Sequence, residues 1–91
     1  MITHDAVFKP CADVRFRVVA DEAVVVRQED AEVLAINEVG ASILELLDSR
    51  RSVRAVMDLL LEQYDVDPRQ LQTDVERFLR ELRDAGVIQE A

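Results

Sequence analysis

The side chains able to do chemistry are few, and they do not converge. The chain holds one histidine, His4, and one cysteine, Cys11, both within its first twelve residues. Cys11 has no histidine partner close to it in sequence, so it reads as a small apolar contact rather than a reactive thiol. His4 reads as a solvated terminal residue. A single cysteine excludes an internal disulfide and a cysteine zinc cluster. Carboxylates are plentiful, but most fall on solvent-facing helix positions. There Glu76 and Arg80, and Arg80 and Asp84, stand at i,i+4 spacing, the signature of a solvated face rather than an acid–base dyad. Two glycines, Gly40 and Gly86, cannot build a phosphate-cradling loop. Without a convergent set of acids, bases, nucleophiles or ligands, neither catalysis nor a metal or organic cofactor is expected.

Composition narrows the partners. Ninety-one residues, 49% of them apolar, make one small domain. Nineteen acids against eleven bases give a net charge of −8. That charge disfavours phosphate backbones and anionic membrane surfaces alike. The longest apolar runs, residues 23–26 and 59–61, are far too short to span a bilayer. MITHDAVFKP lacks the basic and apolar regions of a secretory signal. Together these point to a soluble, reducing, cytoplasmic setting.

The elements follow from a single change of period. Residues 14–36 are rich in Val and Phe; residues 38–88 are rich in Leu, Glu and Arg. Residues 1–12 fit neither pattern and read as an N-terminal arm, ahead of a domain at 13–91. Strands are expected at 14–19, 23–27 and 31–36, joined by short polar turns into an antiparallel meander. Such a sheet has one apolar face that helices must cover. Asn37 is placed to cap a helix over 38–47 with the stripe Val39, Ile43, Leu46 and Leu47; Gly40 in its first turn permits close packing. Ser52 caps the next, with Val53, Val56, Leu59, Leu60 and Tyr64 on one face. Asp67 as N-cap, Pro68 at the first position and Gln70 as a box-like partner start the third. Its stripe is Leu71, Val75, Phe78, Leu79 and Leu82, and Gly86 is its stop. The fold class is α+β, in the order β-β-β-α-α-α, with the last two helices set as in a winged helix-turn-helix.

That arrangement allows two binding modes. As a winged-helix DNA reader, the third helix would present Arg77, Arg80 and Arg83. Asp74, Glu76, Glu81 and Asp84 on the same helix offset them, and from residue 38 onward twelve acids oppose seven arginines. The alternative is the open edge of the meander, where an extended peptide can add as a strand. Periodicity alone does not say which edge is open, and Glu32 also reads as a charged guard against edge pairing.

The stretch from 33 to 88 resembles the PqqD family of peptide chaperones. The carrying segments are VLAINEVGASILELLDSRRSV, MDLLLEQYDVD and TDVERFLRELRDAGVI. Ile36-Asn37-Glu38 falls at the family's strand-end signature, Ile43-Leu44 in its first helix, and Asp48 at its Asp-Gly turn. Asp74-Val75 with Phe78-Leu79 matches its last helix, and Gly86 its closing glycine. Ser49 departs from the glycine usual after that Asp, and residues 1–30 match only loosely. The resemblance implies a recognition element that binds the leader of a ribosomally made precursor peptide. It would present that leader to a modifying enzyme, such as a radical-SAM protein or a leader peptidase. It further implies that the peptide adds beside the third strand, through Glu32, Val33, Leu34, Ala35 and Ile36, and packs against the third helix at Asp74, Arg77, Phe78 and Glu81. Leu34, Ile36 and Phe78 also belong to the apolar stripes. Asp74 and Arg77 are the expected polar readers, with a surface ion pair as the plainer assignment. The domain is expected to act as a monomer or homodimer.

Overall fold

The computed structural model describes residues 2–19, 22–28 and 32–91. The meander is present. Strands β2 (Val14–Val19), β3 (Glu22–Arg27) and β4 (Glu32–Ile36) form an antiparallel sheet in the order β2-β3-β4. Glu22, read from the sequence as part of a turn, is the first residue of β3; Ala31, read as the start of the third strand, lies outside the described residues. The register stacks Phe16, Val25 and Leu34 in one rung and Val18, Ala23 and Ile36 in the next, all on the inner face. Arg17, Val24 and Ala35 share a rung on the outer face, as do Arg15, Val26 and Val33.

Helices α1 (Glu38–Leu46), α2 (Val53–Gln63) and α3 (Pro68–Asp84) begin where the capping residues require. The Asn37 side chain accepts from Gly40 N–H at 2.9 Å, Ser52 Oγ from Ala55 N–H at 3.2 Å, and Asp67 Oδ1 from Arg69 N–H at 2.8 Å. Gln70 does not complete a capping box; its amide donates instead to Asp74 Oδ1 at 3.0 Å. The buried stripes meet in one core. Ile43, Leu44 and Leu47 come from the first helix and its cap, Val56 and Leu60 from the second, and Leu71, Val75, Leu79 and Leu82 from the third. Burying each such side chain contributes about 1.5–3 kcal/mol. Tyr64 ends α2 with its hydroxyl 2.9 Å from Ser42 Oγ. Gly86, with φ +75°, takes the left-handed conformation that stops α3. Arg27 of β3 hydrogen-bonds the carbonyl of Ala85, tying the sheet to that helix end.

Two strands are absent from the sequence reading. β1 (Phe8–Pro10) pairs antiparallel with β5 (Ile88–Glu90) as a separate two-stranded ribbon. The stretch read as an arm is therefore packed: Ile2 and Phe8 are buried in the core, and Val7 bridges to Ser52. Its backbone also receives Arg54 N–H at His4 O and Val53 N–H at Ala6 O, both at 2.9 Å. His4 is half-buried rather than solvated, with Nε2 2.8 Å from Glu76 Oε1. This contact supersedes the expected pairing within α3, because the folded N-terminus brings an imidazole to the carboxylate. Glu76 faces His4, and the ion-pair partner of Asp84 is Arg83, at 3.9 Å.

The turn after α1 accounts for Ser49, which stands where the resemblance leads one to expect glycine. Ser49 adopts φ +66°, the left-handed region where glycine is usual. It is held there because Asp48 Oδ1 accepts from Arg50 and Arg51 N–H, and Ser49 N–H donates to Phe8 O at 3.2 Å. Those backbone bonds hold the Asp48 carboxyl below the usual carboxylate range. No helix among the described residues is long and apolar enough to cross a membrane.

Candidate functional site: a groove beside an open strand edge

β4 is an outer strand of its sheet, so one row of its N–H and C=O groups has no ladder partner among the described residues. The strand ends at Ile36 and passes through Asn37 directly into α1. Because the Asn37 cap fixes that junction, the first turn of α1 is held close to the end of β4. α3 runs opposite, and between them lies a groove of about 550 Å³.

Its floor is apolar. Gly40, Ile43, Leu71 and Val75 are buried there, with Ile36 and Phe78 half-buried beside them. Gly40 makes the floor possible. A Cβ at that position would collide with Ile36 Cγ2, lie 3.0 Å from Phe78 Cζ and 3.3 Å from Asn37 Oδ1. The rim is formed by Ala35, Val39, Val66 and four polar side chains of α3, namely Gln70, Asp74, Arg77 and Glu81. Asp74 Oδ1 accepts from Arg77 Nη2 and from Gln70 Nε2, each at 3.0 Å.

Of the residues singled out in the sequence, Ala35, Ile36, Asp74, Arg77, Phe78 and Glu81 line this one groove. Val33 and Leu34 do not line it. They extend the same strand edge, Val33 with 61% of its surface exposed and Leu34 half-buried against the core. The backbone of Glu32 pairs opposite Arg27; its side chain lies outside the described residues. Phe78 both packs against the core and lines the groove. The expected ion pair of Asp74 and Arg77 exists. The sequence reading missed Val39, assigned to the buried stripe but 38% exposed on the groove, and also Val66. The signal for the site was Gly40, since a glycine one turn into a helix marks a close approach.

Two of the three arginines a DNA reader would present are drawn to carboxylates: Arg77 is bound to Asp74, and Arg83 lies 3.9 Å from Asp84. The Glu76 carboxyl is held below its usual range, first by the hydrogen bond from His4. Cys11 packs partly against the core, where burial and then the charge of Asp13 push its thiol up, away from the reactive thiolate. Among the described residues no group of three or more His, Cys, Asp or Glu could hold a metal ion.

The whole arrangement is that of a known fold. TbiB1, solved in complex with the TbiA(beta) leader peptide, superposes with a TM-score of 0.82 over 89% of this chain and 94% of its own, at 23% identity. Lasso peptide synthetase B1, solved with the leader peptide, matches with the same TM-score over 92% of this chain and 99% of its own, at 19% identity. The fold is therefore that of these leader-peptide-bound proteins. Residues 22–88 match the family Coenzyme PQQ synthesis protein D (PqqD), and the chain belongs to that family. Among its relatives, the PqqA binding proteins of Rhodopseudomonas palustris strains BisB5 and TIE-1 are 41% and 39% identical over 59 residues, 65% of this chain. The chain matches 58% of the length of each of them.

Proposed function

We propose that this protein is a non-catalytic chaperone for the leader of a ribosomally synthesised precursor peptide. The leader adds as a strand to the free edge of β4, along residues 32–36, and packs its inward side chains into the groove against α3. The carrying observation is the conjunction of an open edge with an apolar-floored groove of about 550 Å³ immediately beside it. Main-chain bonds supply affinity for any extended peptide, and the groove reads alternate side chains. Relatives known as PqqA binding proteins and the leader-bound structures of the same fold support this reading. Asp74, Arg77, Phe78 and Glu81 are the groove residues that meet the peptide. The bound leader is presented to a modifying enzyme, such as a radical-SAM protein or a leader peptidase, in the cytoplasm. No cofactor is required of this chain for that role, and a monomer or homodimer can perform it.

A ¹⁵N NMR titration with a candidate leader peptide, taken from a short precursor gene sought beside this protein's own, tests the proposal. Shifts concentrated on residues 33–36 and on the groove face of α3 are expected. Shifts concentrated on β2 instead would overturn strand addition at β4. Proline at Leu34 and at Ala35 in turn removes an N–H from each side of the strand. Only the one facing away from β3 should abolish binding while leaving the fold intact.

A further inference from the structure

We infer that the groove selects its peptide by charge as well as by apolar fit, with Glu81 receiving a basic side chain of the bound strand. The inference rests on the strand-addition reading above and deepens it. Four polar side chains of α3 stand at the groove, and three of them satisfy one another. Asp74 takes hydrogen bonds from Arg77 and Gln70, leaving that end of the rim without net charge. The other cations of the helix do not neutralise Glu81: Arg83 lies beside Asp84, Arg80 is the sequence neighbour of Glu81 and so does not share its face, and Arg69 stands twelve residues earlier, ~18 Å along the helix. Arg77 stands four residues before Glu81, within i,i+4 reach, yet its guanidinium is turned to Asp74. Glu81 is thus an exposed rim carboxylate whose side chain has no hydrogen-bond or ion-pair partner among the described residues.

The spacing suits a strand. Side chains i and i+2 of an added strand point the same way, ~7 Å apart. Along α3 the rise to Glu81 is ~4.5 Å from Phe78 and ~9 Å from Val75, which brackets that distance. In this inference the strand lies along α3, so that a peptide residue seated on the apolar floor between Val75 and Phe78 carries its next same-side neighbour toward Glu81. A lysine or arginine there finds an unneutralised carboxylate; an aspartate or glutamate is repelled, on a protein already at −8.

The test uses a fluorescein-labelled positional-scanning library of short extended peptides, each position fixed in turn as Lys, Leu or Glu. Fluorescence anisotropy is read with the wild type, Glu81→Gln and Glu81→Lys, whose folds are checked by circular dichroism. At the position two residues from the one preferring Leu, the wild type should favour Lys over Glu by roughly three- to tenfold, and less as salt is raised. Glu81→Gln should bring that ratio close to one, and Glu81→Lys should invert it. If peptides bind but the ratio is the same in all three proteins, this inference is overturned and strand addition stands. If no peptide of the library binds the wild type, strand addition is overturned and the inference with it.

Discussion

The two edges of the three-stranded sheet look alike in local terms. β2 and β4 are both outer strands, each with one row of backbone groups that has no ladder partner among the described residues. Each also exposes valine, Val18 at 38% and Val19 at 59% on β2 and Val33 at 61% on β4. Their surroundings differ. β2 carries Arg15 and Arg17 on its outer face, and the Arg15 guanidinium folds back to the Ala12 and Val14 carbonyls, as edges guarded against pairing do. β4 instead runs through Asn37 into a helix and flanks a groove closed on its other side by α3. An open edge is only generic affinity. An edge gains the means of selectivity when a second element stands across a groove from it, as α3 does beside β4.

The comparison can be broken most severely at the groove floor. Gly40→Leu should push Ile36 and Phe78 out of place, costing about 1–3 kcal/mol of stability by overpacking and eliminating peptide binding at β4. Urea unfolding and anisotropy on the same sample read both effects. Arg17→Ala on β2 should leave affinity unchanged; a comparable loss there would mean that the edges are not distinct. A smaller effect separates capping from positioning. Asn37→Ala and Ser52→Ala each lose a helix cap worth about 1 kcal/mol. Only Asn37→Ala should also weaken the peptide complex, because only that cap joins β4 to the groove. Equal affinities in the two variants would count against the junction as a positioning device.

Away from both edges, Ser49→Gly should raise stability by about 0.5 kcal/mol, relieving a left-handed serine at some cost in unfolded-chain entropy, with binding unaltered. Chemical denaturation decides the sign. The smallest effect is expected at His4. Glu76 is held below its usual range by His4, so this pairing contributes stability above the ordinary carboxylate range and loses it as pH falls through the lowered value. NMR titration of His4→Ala should move the Glu76 transition upward, and the stability difference from wild type should vanish at low pH. An unmoved transition would show that the contact does not set it.

Much of this protein is legible residue by residue because much of it is local. Val14 and Phe16, or Leu71, Val75 and Leu79, announce their elements by period, and Asn37, Ser52 and Asp67 announce where helices begin, since a cap binds backbone two or three residues away. The family's ordered motifs then pointed to one edge and one helix face. β1 and β5 were not legible. Three residues are too few to show a period, and Phe8 finds Glu90 only after the chain has closed on itself. For the same reason His4 looked solvated: the carboxylate it meets is 72 residues away. The groove shares this character. Its polar residues were identifiable on α3, but Val39 was placed in the core, and Gly40 signalled a close approach without showing what approaches. Helical spacing assigns a face, and only packing decides whether that face meets another side chain or a space. The sequence by itself determined β2 to β4, the three helices and their caps, because those rest on contacts between near neighbours; the choice of β4 as the candidate edge came from the family's ordered motifs. Tertiary structure alone decided that the N-terminal stretch is sealed by β5 and that β4 and α3 stand apart across a groove, because each depends on distances between residues far apart in the chain.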